Sequence, residues 1–158
     1  MPQRAGLGYD IHRLAAGRRL VLGGVAIEHP KGLAGYSDGD VLLHAVMDAV
    51  LGAANLGDLG SHFPSDVPRF AGADRQELLR QVGSKVREAG YAVVSIDATV
   101  IAEAPRIGAH VAAMRQAIAR GLGVTPESVS VKAKTNDGVG EIGAGEAIAA
   151  LAVALASN

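Results

Sequence analysis

Apolar residues recur three and four positions apart over Asp40–Asn55, at Val41, Leu42, Ala45, Val46, Ala49 and Val50, and this spacing predicts a helix with one inward face. Ser37-Asp38-Gly39-Asp40 precedes it, a run of residues suited to accept the first free N–H groups of a helix. Asp74–Ala89 predicts a second amphipathic helix, stopped at Gly90. Tyr91–Ile101 (YAVVSIDATVI) is dense in β-branched residues and predicts a strand, and Ser128–Lys134 alternates like a half-buried one. Leu20–Ala26 (LVLGGVA) reads as a short strand with a glycine turn, and the GLGYDIH segment as extended. Pro105 opens a third helix reaching about Arg120. Residues 57–72 interleave Gly60, Pro64 and Pro68 with polar residues and predict a loop. The tail EAIAALAVALA is ambiguous: its alanines favour helix, while so short an apolar run also suits a buried strand. The pattern as a whole predicts an α+β domain spanning residues 1–158, with three principal helices.

Composition narrows what this domain can do. Aromatic residues are 3% of the chain and Trp is absent, so the core is aliphatic. There are no cysteines, which excludes disulfides, thiolate nucleophiles and cysteine zinc sites; any metal falls to His, Asp or Glu. Fifteen basic and sixteen acidic residues leave a net charge of -1, against nucleic-acid or anionic-membrane partners. Met1-Pro2-Gln3-Arg4 leads into no signal-like stretch, and the apolar tail is shorter than the about 20 residues that span a bilayer. A cytoplasmic protein is expected.

The candidate chemistry lies near the N-terminus. Asp10 and His12 are two apart on an extended segment and so point to one face. His44, on the first helix, offers a third ligand. Two imidazoles and a carboxylate suit Zn²⁺ and leave a fourth position for substrate. Asp40 and Asp48 stand one helical turn on either side of His44, the spacing of supporting acceptors. On spacing alone a structural histidine competes with this reading. His29, His62 and His110 are read as surface residues. Gly138–Gly143 matches G-x-G-x-x-G, but only fifteen residues follow, too few for the rest of a dinucleotide-binding unit. These glycines instead suggest a loop approaching another backbone or a phosphate.

Placed in order, several blocks resemble the 2-C-methyl-D-erythritol 2,4-cyclodiphosphate synthase family along nearly the whole chain. They are GLGYDIH (6–12), LVLGGVAI (20–27), KGLAGYSDGDVLLHAVMDAVLGAANLGDLGSHFP (31–64), AGAD-x-x-x-LL (71–79), APR (104–106), M-R (114–115), SVKAKT (130–135) and GAGEAIA (143–149). The resemblance implies a mixed β-sheet with three main helices on one face, the tail being a strand. It also implies a homotrimer with active sites at subunit interfaces. The implied reaction takes 4-diphosphocytidyl-2-C-methyl-D-erythritol 2-phosphate, whose 2-phosphate attacks its own β-phosphorus and expels CMP. By the same resemblance Asp10, His12 and His44 hold Zn²⁺, while Asp137 stands where the family holds a second ion, Mg²⁺ or Mn²⁺. Asp58 and Gly60 would meet the methylerythritol. Ala102–Ile107 with Arg106, and Ala133–Thr135, would line the cytosine and α-phosphate, and Ser37 would donate to the 2-phosphate.

This chain departs from that pattern at several points. Tyr36 replaces a His before Ser-Asp-Gly-Asp; it still offers a hydroxyl to phosphate but no imidazolium charge. Ser65 replaces an Asp, with Asp66 beside it as a possible substitute. Lys134-Thr135-Asn136-Asp137 replaces T-T-T-E and adds a cation. Glu141 and Ala144 stand in the segment that, in the family, serves a central isoprenoid-diphosphate cavity, which these residues would weaken. The departures leave two alternatives: a metal-dependent phosphohydrolase on a related nucleotide-linked substrate, and a non-catalytic zinc-binding trimer.

Overall fold

The computed structural model describes residues 1–35 and 38–158. The chain runs β1 (Gln3–Ala16), β2 (Leu20–Leu22), β3 (Val25–Ile27), β4 (Lys31–Leu33), α1 (Val41–Ala53), α2 (Leu59–His62), α3 (Pro68–Ala71) and α4 (Arg75–Glu88). It continues with β5 (Ala92–Ile101), α5 (Val111–Leu122), β6 (Val129–Lys134), α6 (Gly140–Gly143) and β7 (Ala147–Ser157). Five strands form one mixed sheet in the order β4-β1-β7-β5-β6, in which only β5 and β6 run parallel. β2 and β3 make a separate hairpin.

The alanine-rich tail is a strand, and the packing shows why propensity loses. β7 lies between β1 and β5, in register with β1 from Gln3↔Ser157 to Arg13↔Ala147. Backbone hydrogen bonds on both edges outweigh an alanine preference worth a few tenths of a kcal/mol per residue, about the spread among ordinary residues. Small side chains here have a second use. Ala150, Ala152, Ala154 and Ala156 are buried on the face that meets α1. On β1, a Cβ at Gly8 would lie 1.8 Å from the Ala45 carbonyl oxygen, and one at Gly6 2.0 Å from that of Ala49. Helix α1 therefore rests almost directly on the backbone of β1.

Asp40 fixes where α1 begins. It is fully buried, and its carboxylate accepts from Leu43 N at 3.0 Å, Gly23 N at 2.9 Å and Gly24 N at 2.8 Å. One side chain thus caps α1 and holds the β2–β3 turn, where Gly23 and Gly24 adopt φ of 59° and 76°. Leu20–Ala26, by its sequence a short strand with a glycine turn, forms two strands, Leu20–Leu22 and Val25–Ile27, joined by that turn.

Two other segments differ from the sequence pattern. The predicted loop over residues 57–72 contains the one-turn helices α2 and α3, each too short to show a period; Asp58 caps the first, and Pro68 starts the second. The third long helix begins at Val111, after a 3-10 turn at Gly108–His110, and not at Pro105. Residues 102–107 instead continue from β5 along the wall of a cleft, anchored where Ala102 N donates to the Lys134 carbonyl at 2.9 Å. The core is aliphatic, with Leu42, Leu43, Met47, Leu79, Met114 and Ile118 fully buried, and the chain's two phenylalanines, Phe63 and Phe70, meet edge to face at 5.2 Å.

Candidate metal centre and adjoining clefts

Asp10 and His12 alternate onto the same side of β1 as Gly6 and Gly8, the side that α1 covers. Because Gly8 lets the helix approach at Ala45, the neighbouring His44 arrives beside Asp10. The Asp10 Oδ2 lies 2.9 Å from His12 Nε2 and 2.9 Å from His44 Nδ1, and the two imidazole centroids are 5.4 Å apart. The three candidate ligand atoms all fall within 4.8 Å of one another, the only group of three His, Asp or Glu so arranged among the described residues.

Proton positions make this group specific. The His12 Nδ1 is 2.6 Å from the Ala34 carbonyl oxygen, which only accepts, so Nδ1 carries a proton. A neutral His12 would then turn the lone pair of Nε2 toward the Asp10 carboxylate. The arrangement requires a positive charge between them: a proton, or a cation in its place. An imidazole with one nitrogen donating to a backbone carbonyl and the other free for a cation is the usual form of a histidine metal ligand. Protonation follows the same logic. Burial pushes the Asp10 carboxyl up, but the hydrogen bonds from His12 and His44 outweigh it and bring it down to about 2. The hydrogen bond to Asp10 raises His12 above its ordinary 6.5, against partial burial.

The supporting acids fall differently from their spacing. Asp40 is wholly engaged by backbone N–H groups and serves His44 only by fixing the start of its helix. Burial pushes its carboxyl up to about 6, against the pull of its three backbone donors. Asp48 accepts from Leu59 N at 2.7 Å, and burial raises its carboxyl too. The buried His44 Nε2 has no hydrogen-bond partner among the described residues, so neither acid supports it as the helical spacing predicts. Periodicity gives the turn of helix on which each acid sits, not the direction in which a loop draws it.

A cavity of about 260 Å³ opens beside the trio, lined by His12, Gly35, His44, Leu59, Gly60, Phe63, Ser65, Phe70, Ala71 and Arg75. It brings in Gly60 as anticipated, and it takes Ser65 rather than Asp66, which is exposed and outside the lining. Asp58 sits at the N-terminus of α2, where its carboxylate accepts from Ser61 N at 2.8 Å and Ser61 Oγ at 2.6 Å. Arg75, Phe63 and Phe70 are additions: the AGAD-x-x-x-LL block spans Arg75 and the block ending at Pro64 contains Phe63, but neither assigns a role, and nothing marks Phe70. His62 is half-buried, with its Nε2 2.7 Å from the Leu56 carbonyl, rather than an open surface residue, but it is not in the lining of this cavity. Tyr36 and Ser37 lie outside the described residues.

A second cleft, of about 480 Å³, lies at the ends of β5 and β6. Ala102, Arg106, Ala133, Lys134 and Thr135 line it together, as anticipated, and Glu103, Pro105, Ile107, Gly108 and Ala109 complete it. Asp137 is just beyond, with φ of 50°, and accepts from the Thr135 hydroxyl at 3.2 Å. The glycine segment that follows closes on itself: a Cβ at Gly143 would lie 2.1 Å from the Gly138 carbonyl carbon. The strand after it runs antiparallel to both neighbours, which leaves no dinucleotide-binding unit there. The two clefts share no lining residue.

Comparison with known proteins gives a consistent result. The profile of the YgbB family matches residues 3–157. A curated relative from Bordetella petrii, named 2-C-methyl-D-erythritol 2,4-cyclodiphosphate synthase, is 57% identical over 155 residues, which are 98% of this chain and 96% of the relative. Among solved structures, the bifunctional IspDF from Campylobacter jejuni superposes with a TM-score of 0.94 at 39% identity; 98% of this chain matches 42% of that longer one. A 2C-methyl-D-erythritol-2,4-cyclodiphosphate synthase in its CDP-bound form superposes with a TM-score of 0.89 at 33% identity, over 98% of this chain and 100% of the other.

Proposed function

The chain belongs to the YgbB family, and from that premise we propose that it converts 4-diphosphocytidyl-2-C-methyl-D-erythritol 2-phosphate to 2-C-methyl-D-erythritol 2,4-cyclodiphosphate with release of CMP. It is then a phosphorus–oxygen lyase of the non-mevalonate isoprenoid route. The observation that carries this reading is the convergence of Asp10, His12 and His44 beside a cavity lined by both apolar and polar residues.

Three protein ligands of this kind suit Zn²⁺ best. A divalent ion held there supplies positive charge and an open position for a phosphoryl oxygen. The chain does the rest. Asp10 holds both imidazoles at 2.9 Å, and Ala34 fixes the ring of His12 with Nε2 forward. Arg75 adds a cation at the phosphate side of the cavity, while Leu59, Phe63 and Phe70 exclude water around the methylerythritol carbon chain. No protein nucleophile takes part. An oxygen of the substrate's 2-phosphate forms the new bond to the β-phosphorus, and the bond from that phosphorus to the bridging oxygen breaks, leaving with CMP. Holding both phosphates in one folded substrate makes the displacement intramolecular, which lowers the barrier by several kcal/mol.

A homotrimer completes the site. Within one chain the metal cavity and the cleft at β5 and β6 have no lining residue in common, and in this reading one substrate spans a metal cavity and the cleft of a neighbouring subunit. The sheet face away from α1 supplies the contact. Leu7, Tyr9, Ile11, Leu151 and Val153 form neighbouring rows across β1 and β7 and are 67%, 55%, 44%, 38% and 46% exposed. An apolar row of this size is unfavourable in water and is buried by association. This arrangement puts the three long helices on the outside and the sheets at the centre. Partners are the small-molecule substrate and other copies of the chain, with neither nucleic acid nor membrane; among the described residues no helix is long and apolar enough to cross a bilayer. We place the reaction in the cytoplasm.

Phosphorus NMR of the zinc-loaded protein with the cytidine-linked 2-phosphate tests the proposal. Two coupled diphosphate resonances appearing together with CMP are expected. CMP with no cyclic product means hydrolysis and rejects it, as does unchanged substrate.

A further inference from the structure

The 480 Å³ cleft carries positive charge that its own chain leaves unbalanced. Arg106 and Lys134 line it, and neither forms an ion pair among the described residues. The one acid in the lining, Glu103, turns its Oε1 to the backbone N–H of Asn136 at 2.9 Å. Asp137 is partly engaged, through one carboxylate oxygen. The Thr135 hydroxyl donates to its Oδ1 at 3.2 Å, and the Asp137 N–H donates back to the same hydroxyl oxygen at 3.2 Å. This local turn holds Asp137 in the left-handed region, at φ 50°, and no third His, Asp or Glu joins it in a metal-ligand cluster among the described residues. Mg²⁺ requires near-octahedral oxygen ligands and keeps much of its water, so here the chain itself would offer it one carboxylate with one oxygen already hydrogen-bonded, and the nucleotide and water would have to supply the rest.

Lys134 is well placed to carry the charge instead. It ends β6 in register with Ile101 of β5, and its carbonyl accepts from Ala102 N, so the backbone beneath the ammonium is fixed at the rim of the cleft. The side chain itself is exposed, a flexible stem ending in three donors. Ala102, Pro105, Ile107 and Ala133 give the same cleft apolar lining, which suits the flat face of a base.

We propose that Lys134, together with Arg106, neutralises the diphosphate of a cytidine nucleotide in this cleft, so that nucleotide binding needs no second divalent ion. This rests on reading the cleft as the nucleotide half of the active site. Lys134 supplies the charge-assisted hydrogen bonds that a bridging metal would otherwise provide.

Calorimetric titration of CDP into the zinc-loaded protein tests it, in buffer freed of Mg²⁺ and Mn²⁺ by chelating resin and again with Mg²⁺ added. Wild-type affinity should agree within about twofold between the two buffers. Lys134→Thr should weaken CDP about tenfold or more in both, the loss of one charged hydrogen-bonding group. Lys134→Arg should retain most of the affinity, and cytidine without phosphates should bind wild type and Lys134→Thr alike. The position is exposed, so the variants should melt with wild type. If Mg²⁺ strengthens wild-type CDP binding about tenfold and Lys134→Thr matches wild type, the metal carries the charge and the proposal fails while the cleft remains a nucleotide site. Cytidine weakened as much as CDP would make Lys134 part of the base pocket and also overturn it. Binding of neither CDP nor cytidine would overturn the nucleotide reading itself.

Discussion

The metal cavity and the β5–β6 cleft are built by opposite means. Around the trio everything is close: a helix seated on two glycines, a buried aspartate holding a turn and a helix start, imidazoles locked by a carbonyl and a carboxylate. The cleft is an open corner where two strands end, lined by several small side chains and by two cations, Arg106 and Lys134, that have no ion-pair partner among the described residues. The difference follows from the task each has. Ligands to a metal must hold their geometry to a few tenths of an ångström, which takes packing. A flexible phosphate tail needs charge within reach more than exact placement.

The comparison predicts that substitutions in the first region damage fold and chemistry together, whereas those in the second alter binding alone. The largest effect is expected at His44. His44→Ala should lower turnover by about 10³-fold or more, the several kcal/mol that a metal contributes at a phosphoryl centre, and metal analysis should find the ion lost. Full activity in a metal-free His44→Ala protein would overturn the assignment. Next come the supports. Gly8→Ala drives a Cβ to 1.8 Å from a backbone oxygen that cannot retreat, and a loss of about 3 kcal/mol is expected in denaturant unfolding. Asp40→Ala removes a cap and orphans the N–H groups of Gly23 and Gly24, at a cost of about the same size.

The pH dependence is smaller and has a definite sign. The His12 pKa is raised in the folded chain, so with zinc removed the His12–Asp10 pair is fully stabilising below 6.5 and its contribution disappears as pH rises through the raised value. The Asp10 pKa is lowered to about 2, so its contribution is present above 3.8 and is lost as pH falls toward 2. Zinc must displace the His12 proton. Its apparent affinity should therefore fall about tenfold per pH unit below the raised value, as one competing proton requires. Chelated protein should thus melt higher at pH 6 than at pH 8.5, and zinc should stabilise it more at pH 8.5; parallel melting curves would contradict this. The smallest effect is expected in the cleft. Arg106→Ala should raise KM about tenfold and leave the melting temperature unchanged, because the side chain is exposed and forms no ion pair among the described residues. A drop of several degrees would show that the cleft is as tightly built as the metal cavity.

Much of this was legible along the chain. Asp10 and His12 are two residues apart, and strand geometry alone puts them on one face. The period of α1 sets His44 near its inward stripe, and Asp40 is recognisable as a cap. Ala102, Arg106, Ala133, Lys134 and Thr135 fall together as the sequence blocks imply. Other features carried no local signal. The side chains of Asp40 and Asp48 go to loops that lie far along the chain from the helical neighbours their spacing suggests. Phe63 reaches the cavity from the end of the one-turn helix α2, Phe70 from α3 and Arg75 from the first residue of α4, an approach that only the path of these short helices sets. Ser65 rather than Asp66 faces inward through the direction of one loop.

What the sequence determined by itself was whatever depends on neighbours within a turn or a strand: the period of each long helix, the face of each strand, the residue types able to hold a metal. The tertiary structure decided the rest. It made the alanine-rich tail a central strand, because two edges of hydrogen bonds outweigh a weak preference for helix. It also brought His44 to Asp10 across a separation of 34 residues, because glycine at Gly8 allows a helix to lie where any side chain would hold it away.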